Sequence, residues 1–373
     1  VEMNFGGGLL WQVPERKVNL EELDSDIERL VANMSRAALA AGVPNPRKPW
    51  LDALAPTYDL RKIEQRRDSE LALGVIDEPE TQQQRYEYFR PDQEGNIAYY
   101  CAGGSGKTTA LRSLALAASI TPRSGGVHVY GLDYGGGGLS LLEPLPNVGS
   151  IIDGGDEERI GRLFRWLRAV ADERQSRYSA AKAPTLTEYR RVSGDQMEPR
   201  ILVLIDGVGA FKTDYEGSAD RMALFALFQQ LLVDRRGVGI HFAITADRPA
   251  AVPASLATSF QRKVVLRQTD DDGYRYLGLP RDVLSPTSPA GRAMQVGGPQ
   301  ELQLAILGDN VNVAAQVKMI EQLAEFVSGL DAPRPVKIRS LPTEVPATRM
   351  PAQVGGRPAL GVADESLEPV GFT

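Results

Sequence analysis

A glycine-rich turn between an apolar segment and a helical pattern carries the residues with the clearest chemistry. Residues 97–102 read Ile-Ala-Tyr-Tyr-Cys-Ala, and a segment with apolar residues at helical spacing runs from Thr108 to Ser119. In such a turn, backbone N–H groups surround a β-phosphate, a lysine reaches the β- and γ-oxygens, and the next hydroxyl binds Mg²⁺. The sequence therefore predicts that ATP phosphates are held by Gly103, Gly104, Ser105, Gly106, Lys107, Thr108 and Thr109.

The first position of this turn departs from the pattern G-x-x-x-x-G-K-[ST]. Counting back from Gly106 places Cys101 where the pattern has its first glycine. A glycine there gives the backbone unhindered dihedral angles and a close approach, and a Cβ restricts both. We therefore expect weakened rather than abolished nucleotide binding. The alternative, a chance glycine-rich turn, is disfavoured because a strand-like and a helix-like segment flank the turn.

A carboxylate ends an apolar segment further along the chain. Residues 201–206 read Ile-Leu-Val-Leu-Ile-Asp, which is typical of a buried strand. Asp206 at its end is placed to hold Mg²⁺ through water, beside the hydroxyl of Thr108. The alternative is an aspartate that caps a turn. Lys107 and Asp206 are therefore the expected catalytic groups, and Thr108 and Asp206 are the expected metal ligands.

The residue after Asp206 affects the expected rate of ATP hydrolysis. Gly207 has no carboxylate to polarise an attacking water, and a positioned base contributes about 10²–10⁴-fold to the rate of such a reaction. Slow hydrolysis, or binding without turnover, is expected unless another acid substitutes. Three candidates for that acid, Glu188, Asp214 and Glu216, are more typical of solvated surface charges.

The elements that would position these groups alternate between strand-like and helix-like patterns. This alternation is typical of an α/β protein in which helices flank a mostly parallel central sheet. Strands are predicted at residues 127–133, 148–153, 201–206, 239–246, 263–266, 292–296 and 301–307. Helices are predicted at residues 25–41, 108–119, 156–181, 221–235 and 313–330.

Composition excludes several classes of function. The 373 residues include 42 basic and 48 acidic side chains, a formal charge of −6, which argues against nucleic acid as a partner. A single cysteine excludes an internal disulfide framework, and His128 and His241 lie in apolar segments typical of a core. Asp270, Asp271 and Asp272 are typical of a helix N-cap rather than a metal site. The cysteine and histidine usage favours a cytosolic, zinc-free chain. No 18-residue apolar segment and no charged-then-apolar leader occurs within these residues, so no membrane span or secretory signal is expected in them.

Two segments near the ends of the chain repeat each other at a constant offset of 287 residues. Gly42 corresponds to Gly329, and the Leu-Gly-Val of residues 73–75 recurs at residues 360–362. Both copies follow a helical pattern. The further pairs are Pro46 with Pro333, Arg47 with Arg334, Leu54 with Leu341, and Asp77-Glu78 with Asp364-Glu365.

The simplest interpretation of this repeat is a tandem array of similar units. Residues 1–70 would be the tail of a preceding unit with a connector helix, and residues 71–330 one complete ATPase unit. Residues 331–373 would be a connector and the start of the next unit. The first residue is Val1, which also suggests a piece of a longer protein. The alternative is a pair of unrelated proline-rich linkers.

Several further segments are similar to one family. Residues 240–249, Ile-His-Phe-Ala-Ile-Thr-Ala-Asp-Arg-Pro, resemble a sensor strand followed by a T-x-R-P turn. The segments at 132–139, 261–266 and 277–280 belong to the same set. Across about residues 71–310 the chain resembles the FtsK/SpoIIIE-type ATPase domains and, among them, the EccC-like motors of bacterial type VII (ESX) secretion. The connectors resemble the spacers between tandem ATPase domains of EccC.

The resemblance implies a RecA-like P-loop NTPase fold with N- and C-terminal interdomain connectors. It also implies a membrane-tethered motor with several ATPase domains, assembled as a ring, that exports Esx-type proteins. This chain would be a cytoplasmic middle domain, the second. Its partners would be the neighbouring ATPase domains, the secreted Esx-type substrates and the membrane components of the secretion system.

The same resemblance implies roles for four residues. Thr245 would be the sensor near the γ-phosphate, and Asp133 would lie near the nucleotide at a strand end. Arg262 matches the position of an arginine finger that reaches a neighbour's nucleotide, and a strand-flanking surface arginine is the alternative. Arg248 has a weaker claim to the finger role.

Cys101 and Gly207 favour a regulatory unit that binds ATP with Mg²⁺ and hydrolyses it weakly. The alternatives are a fully active translocating ATPase and a module that binds an export signal peptide with a structural nucleotide. A DNA translocase is less consistent with the acidic charge. Trp50 either docks into a neighbouring domain or anchors its own, and residues 1–12 are either the end of the preceding unit or an added segment.

Overall fold

The computed structural model describes residues 25–44, 51–64, 67–121, 126–217, 219–234, 236–281, 283–298, 300–330, 332–363 and 367–371. The chain divides into two compact units. One is Val1–Ala53 with Pro79–Gln83, and the other is Leu54–Glu78 with Gln84–Thr373. Trp50 and residues 1–12 lie outside the described residues.

Helix α1 (Asp26–Ala40) belongs to the first unit and begins at a capping box. The Ser25 hydroxyl accepts a hydrogen bond from the Glu28 N–H, and the Glu28 carboxylate accepts one from the Ser25 N–H. The helix predicted at residues 25–41 is therefore confirmed. Five large apolar side chains on α1 are exposed, those of Ile27, Leu30, Val31, Met34 and Leu39.

The second unit contains the remaining helices and the strands. In chain order they are β1 (Leu71–Glu78), β2 (Gln83–Phe89), α2 (Pro91–Glu94), β3 (Ile97–Tyr100), α3 (Lys107–Ser119), β4 (Val127–Asp133), β5 (Val148–Asp153), α4 (Glu157–Ala180), α5 (Leu186–Ser193), β6 (Arg200–Asp206), α6 (Val208–Glu216), α7 (Ala219–Asp234), β7 (Ile240–Ala246), α8 (Ala254–Ala257), β8 (Arg262–Leu266), α9 (Asp271–Tyr276), β9 (Arg292–Gln295), β10 (Glu301–Leu304), α10 (Val313–Ser328), β11 (Gln353–Val354), β12 (Arg357–Val362) and β13 (Pro369–Gly371).

Ten strands form one sheet in the order β2-β1-β10-β9-β8-β3-β7-β6-β4-β5. The six from β8 to β5 pair in parallel, and β1, β10, β9 and β8 pair antiparallel. The parallel strands are apolar because both faces of the sheet are covered, and every residue of β6 is buried. The prediction of a mostly parallel sheet flanked by helices is confirmed.

Alternation along β3 divides the core between the two faces of the sheet. Ile97 and Tyr99 pack on the face that carries α3 and α10, whereas Ala98 and Tyr100 pack on the face that carries α4, α6 and α7. The carboxyl ends of the parallel strands then lie at one edge, where ligands of open α/β sheets bind. No helix in the described part of the chain is long and apolar enough to cross a membrane.

The N-terminal connector, which we define as residues 54–63, packs on the sheet. The Ile306 N–H donates to the carbonyl of Tyr58 at 3.0 Å, and the Leu60 N–H donates to the carbonyl of Ile306 at 2.7 Å. Leu54, Leu60 and Ile63 are buried. This connector therefore lies in the compact unit of the sheet, although the domain boundaries at residues 70 and 330 stay a prediction.

The C-terminal connector, defined as residues 333–341, lies along β5 and α4. Its Ile338 side chain is buried, and the Ile338 N–H donates to the Ser150 hydroxyl at 2.9 Å. The Tyr130 hydroxyl donates to the carbonyl of Val336 at 2.9 Å, and the Arg162 guanidinium donates to the carbonyl of Arg339 at 2.7 Å. Side chains of β4, β5 and α4 thus hold the backbone of the connector.

Secondary structure recurs at the offset found in the sequence. The 3₁₀ turn Leu60–Lys62 has a counterpart at Ala347–Arg349, and β1 has a counterpart in β12. Helices α1 and α10 also begin 287 residues apart, at Asp26 and Val313. The pairs that involve Pro46, Arg47 and Asp364-Glu365 include residues outside the described part. The repeat thus extends from residue types to secondary structure.

Candidate nucleotide site

The glycine-rich turn joins β3 to α3 at the carboxyl edge of the sheet. Helix α3 begins at Lys107, and Gly106 caps it with φ at 109°. The Ser105 hydroxyl donates to the carbonyl of Ala102 at 2.6 Å, which closes the turn. Gly103 and Gly104 are exposed, and their α-carbons face open space. The hydrogen bond of Ser105 therefore closes the turn, and the exposed Gly103 and Gly104 leave the turn accessible to a phosphate chain.

Cys101 fits at the position where the pattern has a glycine. Its backbone lies outside the left-handed region, and its side chain is buried in the core beneath the sheet face that carries α3. Burial raises the pKa of the thiol. The steric reason for expecting weaker nucleotide binding is therefore absent, because the Cβ points away from the turn into apolar packing.

Asp206 and two hydroxyls form a hydrogen-bonded chain beside the turn. The Thr108 hydroxyl donates to one carboxylate oxygen of Asp206 at 2.5 Å, and the Thr245 hydroxyl donates to the other at 2.6 Å. Thr245 is fully buried and accepts the Gly207 N–H at 2.8 Å. Thr245 therefore orients Asp206, and its hydroxyl is engaged there rather than exposed to a γ-phosphate.

Asp133 lies at the end of β4, the strand-end position that the resemblance implied. Its carboxylate accepts hydrogen bonds from the N–H groups of Gly135, Gly137 and Leu139 at 2.8–3.1 Å. All these contacts lie within the loop that follows β4. Asp133 therefore holds this glycine-rich loop in place, and its proximity to nucleotide stays a prediction.

The loop that Asp133 holds lies directly against the predicted metal ligands. A Cβ on Gly135 would lie 2.5 Å from a carboxylate oxygen of Asp206. A Cβ on Gly138 would lie 2.5 Å from the Thr108 side chain. The glycines are needed here because the backbone passes within contact distance of both ligands. In the sequence, this glycine run points to the site only through its resemblance to a family.

Lys107 is ion-paired with Asp247, the residue that follows β7. Burial alone would lower the pKa of Lys107, but the hydrogen bond and charge of Asp247 raise it. The Asp247 side chain is 66% exposed, so the pair faces solvent at the mouth of the site. Sequence reasoning assigned Asp247 no role. Its position two residues after Thr245, at the carboxyl end of a strand, was the available signal.

Gly207 begins α6 in a left-handed conformation, with φ at 90°. A Cβ there would lie 3.3 Å from the Cβ of Tyr134. Three carboxylates were considered as substitutes for a base at this position. Glu188 pairs with Arg191 on α5, Glu216 pairs with Lys212 on α6, and Asp214 is exposed. Of the carboxylates named here, Asp247 is the one that contacts the P-loop lysine.

Arg262 lies at the opposite end of its strand from the glycine-rich turn. It pairs in the sheet with Ile97, the first residue of β3. The guanidinium is 4% exposed and donates to Glu87 at 2.7 Å and Glu94 at 2.6 Å. An arginine finger must reach a neighbour's nucleotide, and this buried ion-paired side chain is not free to do so. The finger hypothesis for Arg262 is therefore corrected to a structural role. Arg248 is exposed beside Asp247.

The remaining polar residues singled out in the sequence have structural partners. Asp270 caps α9 by accepting the Gly273 N–H at 3.0 Å, as predicted. His128 bonds the carbonyl of Pro333 at 3.0 Å, and burial lowers its pKa. His241 is fully buried at the amino edge of the sheet. His128 and His241 lie near the amino ends of β4 and β7, away from the glycine-rich turn.

The site fits a nucleotide triphosphate with Mg²⁺. Thr108 and Asp206 supply two oxygen ligands in hydrogen-bond contact, the ligand type that Mg²⁺ prefers. The N-terminus of the 13-residue helix α3 and Lys107 supply positive charge for phosphates. A bound Mg²⁺ would neutralise charge on the phosphate oxygens.

Residues 59–279 match the FtsK/SpoIIIE family, which is more than half of the chain. The chain belongs to the FtsK/SpoIIIE family. The ESX-1 secretion system protein EccCb1 of Mycolicibacterium smegmatis (strain MKD8) is 26% identical over 332 residues, with 85% of this chain and 54% of the relative covered. ESX secretion system protein EccC of Thermomonospora curvata is 28% identical over 370 residues, 89% of this chain and 27% of the relative. This FtsK/SpoIIIE chain thus spans about half, or less, of these relatives.

Solved structures share the fold. The structure of EssC ATPases 2 and 3 from Geobacillus thermodenitrificans has a TM-score of 0.73 at 22% identity, covering 86% of this chain and 62% of that one. Thermomonospora curvata EccC ATPases 2 and 3, solved with a signal sequence peptide, has a TM-score of 0.67 at 24% identity, covering 90% and 60%. This FtsK/SpoIIIE domain therefore has the RecA-like P-loop ATPase fold that the sequence predicted.

Proposed function

We propose that this chain is an ATP-binding, slowly hydrolysing domain of a type VII secretion motor. The observation that carries the proposal is the chain of hydrogen bonds from Thr108 through Asp206 to Thr245 at the mouth of the P-loop. A buried carboxylate with two hydroxyl partners, beside the N-terminus of a long helix, is the arrangement that holds Mg²⁺ and triphosphate.

Slow hydrolysis follows from the residue after Asp206. Gly207 supplies no base, and its left-handed backbone disfavours any residue with a Cβ. Without a positioned base, a water molecule near the γ-phosphate is activated about 10²–10⁴-fold less. Nucleotide would then act mainly by stabilising one conformation of the domain, which requires a difference in affinity between two states rather than turnover.

In this proposal, the ion pair with Asp247 also weakens the binding of nucleotide to Lys107. The carboxylate neutralises Lys107, and its negative charge lies where the lysine would meet the β- and γ-phosphates. Incoming nucleotide must therefore compete with Asp247 for the lysine. Because the pair is partly exposed, the competition is modest, about 0.2–1 kcal/mol.

The place of this domain in a larger machine is also a proposal. It is supported by the names of the relatives and by the repeat of elements at a constant offset. We infer a middle unit, the second, on the cytoplasmic side of a membrane-anchored chain. Its partners would be neighbouring ATPase domains, in a ring, together with Esx-type substrates and membrane components of the system. A fully active translocase would need a base that Gly207 does not supply, and a DNA translocase fits the acidic charge less well.

The test is calorimetric titration with ATP and Mg²⁺ of the wild-type chain, Lys107→Ala and Asp247→Asn. Wild type should bind, and Lys107→Ala should lose about 100-fold or more in affinity because the lysine meets the phosphates. Asp247→Asn should gain up to about fivefold, because Lys107 is released. Thermal unfolding of each variant checks the fold. Absence of ATP binding to the folded wild type would overturn the proposal.

A second candidate function is the binding of an export signal peptide. The C-terminal connector lies along β5 and α4 without regular secondary structure, held by side chains that bond its carbonyls. This surface therefore already binds a peptide segment. Anisotropy with a labelled C-terminal peptide of an Esx-type protein tests the idea, with Ile338→Asp to release the connector. Binding that rises in Ile338→Asp would support peptide binding at this surface, and no binding by either form would reject it.

A further inference from the structure

Arg267, the residue that follows β8, contacts the glycine-rich turn at two points. Strand β8 pairs in parallel with β3, so the end of β8 lies beside the start of the turn. The Arg267 carbonyl accepts the Ala102 N–H at 2.8 Å. The Arg267 guanidinium donates to the carbonyl of Gly104 at 3.3 Å. These contacts lie on either side of Gly103, so a single residue holds the part of the turn that is exposed.

The same guanidinium also holds the segment that precedes β9. A second nitrogen of Arg267 donates to the carbonyl of Pro286 at 2.6 Å. At the other end of that segment, the Gly291 N–H donates to the carbonyl of Ser105 at 3.2 Å. Residues 286–291 are therefore joined to the turn at both of their ends, once through Arg267 and once through Gly291.

The carbonyl that Arg267 holds belongs to the peptide group between Gly104 and Ser105. In a planar trans peptide, the C=O and the N–H point in opposite directions. The N–H of this peptide donates inside the turn, to the carbonyl of Ala102 at 3.3 Å. Its C=O is directed to β8, which lies on the other side of β3 from β6, the strand that carries Asp206. The carbonyl oxygen therefore faces away from the predicted metal ligands.

This orientation matters for an anion and is easily lost. A turn that surrounds phosphate must direct N–H groups inward, because a carbonyl oxygen directed inward repels the phosphate oxygens. Gly104 has φ at 75°, and a Cβ there would meet no atom within 4 Å. With glycine also at 103, the turn has no side chain at these two positions to oppose rotation of the peptide. The hydrogen bond from Arg267 supplies that opposition.

The shape of the guanidinium suits these contacts. Arginine has several donors in a rigid planar fork, so it reaches the carbonyls of Gly104 and Pro286 together. Lysine has the same charge, but its single ammonium cannot reproduce the geometry of the fork. The contacts therefore depend on the shape of the side chain as well as on its charge.

We propose that Arg267 is a positioning residue that keeps the glycine-rich turn ready to accept phosphate. It holds the Gly104 carbonyl outward and joins the turn to residues 286–291, and it acts through the backbone without binding the phosphates itself. Nucleotide then meets a turn that is already ordered, so less binding free energy is used to order it. The expected effect on ATP rests on the proposed function, whereas the effect on the empty turn is independent of it.

The first experiment titrates wild type, Arg267→Gln and Arg267→Lys with ATP and Mg²⁺ by calorimetry on the full chain. Both variants should bind ATP about tenfold more weakly, because binding must then order the turn. Arg275→Gln is the matched control, since it removes an equal charge from an exposed ion pair with Asp272 on α9, and it should bind as wild type does. Unchanged affinity in Arg267→Gln would overturn the proposal. Full affinity in Arg267→Lys would also overturn it, because charge alone would then be sufficient.

Hydrogen exchange without nucleotide tests the effect on the turn itself. The Ser105 amide should exchange about tenfold faster in Arg267→Gln and Arg267→Lys than in wild type, because the turn opens more often. Amides of the buried strand β6 are the reference and should keep their rates. An unchanged rate at Ser105 would contradict the positioning role. Faster exchange at Ser105 and β6 alike would assign Arg267 to general stability and reject the proposal.

The two experiments separate the positioning role from the proposed function. Absence of ATP binding to wild type would overturn the proposed function. The exchange rate of Ser105 in the nucleotide-free chain would still decide whether Arg267 orders the turn.

Discussion

The two edges of the parallel sheet both carry charged and polar side chains, yet they differ in how those side chains are partnered. At the carboxyl edge, Asp206 is held by two hydroxyls, and Lys107 has one partly exposed partner, Asp247. At the amino edge of the same strands, Arg200 and His241 are buried and bonded on several sides. The carboxyl edge therefore presents groups that a ligand can contact, whereas the groups at the amino edge are occupied by protein partners.

The amino-edge cluster is a closed network. Arg200 donates to Asp68 at 3.1 Å and to Asp92 at 2.7 Å, and Arg190 donates to Asp68 at 2.8 Å. Arg200 also donates to one ring nitrogen of His241 at 2.8 Å, so the other ring nitrogen carries the proton and donates to the carbonyl of Gly95. Charge at a strand end therefore indicates a ligand site only where the charge is not already satisfied by the protein.

The largest effect is expected from a substitution that breaks the closed network. Arg200→Leu leaves the buried Asp68 and the half-buried Asp92 with fewer partners, and removing one member of a buried pair costs about 3–5 kcal/mol. The free energy of unfolding in urea should fall by that amount. ATP affinity, measured where the variant is folded, should be unchanged. A loss of ATP affinity in folded protein would mean that the two edges are not independent.

A smaller effect is expected on how the stability of the folded chain depends on pH, and it comes from His241 of the same network. Burial and then the charge of Arg200 lower the pKa of His241 from 6.5 to about 3. The unfolded chain therefore takes up the proton first, and stability is lost as pH falls from about 6.5 towards 3. By pH 5 the loss should be about 2 kcal/mol, from about 1.4 kcal/mol per pH unit.

His241→Gln, which does not titrate, should lose less stability over the same range. The comparison stays above pH 5 because Asp92, whose pKa Arg200 lowers to about 2 against the effect of burial, contributes only at lower pH. Asp68 and Arg200 are the other charged groups that face the histidine. Parallel stability curves for wild type and variant would contradict the neutral, buried histidine.

At the carboxyl edge, Thr245→Val should weaken ATP binding with Mg²⁺ about tenfold. The variant removes the hydroxyl that orients Asp206 and leaves the Gly207 N–H without its acceptor. Thr213→Val is the matched control, because its exposed hydroxyl bonds only within α6. An equal effect of both variants would place Thr245 outside the metal site. Isothermal calorimetry is the measurement.

The smallest expected effect is that of restoring an acid after Asp206. Gly207→Glu should not raise the rate of phosphate release, because the left-handed backbone and the contact with Tyr134 keep a side chain out of position. Gly207→Ala adds the Cβ without the carboxylate, so it separates the effect of backbone strain from the effect of the added charge. A large gain in release with glutamate alone would show that the missing carboxylate is the sole defect.

Much of the carboxyl edge could be predicted from sequence, because local patterns carry it. The apolar run into Asp206 and the turn before Lys107 each specify a strand end and its chemistry within a few residues. Asp247 was missed because its partner Lys107 is 140 positions away, and a distant ion pair has no local pattern. The hydrogen bonds of Asp133 to the loop were missed for a related reason, since they depend on the path of the glycine loop.

The amino edge was predicted poorly for a physical reason. The resemblance offered Arg262 as an arginine finger, with a surface arginine as the alternative. Its buried ion pairs were missed because the partners Glu87 and Glu94 come from β2 and α2, which the periodicity does not reveal. Strand β2 has a polar, mostly exposed first half, so it lacks the apolar run that marked the other strands. Ion-pair partners distant in the sequence and polar edge strands were therefore the main features that the sequence did not predict.

The most direct test of the account is single-turnover phosphate release, measured on the same sample whose ATP binding has been titrated. We predict saturable binding that depends on Lys107, with release of about 0.001–0.1 s⁻¹, because no positioned base follows Asp206. Release near about 10 s⁻¹, abolished in Lys107→Ala, would contradict the account and show that the carboxyl edge is a complete catalytic site.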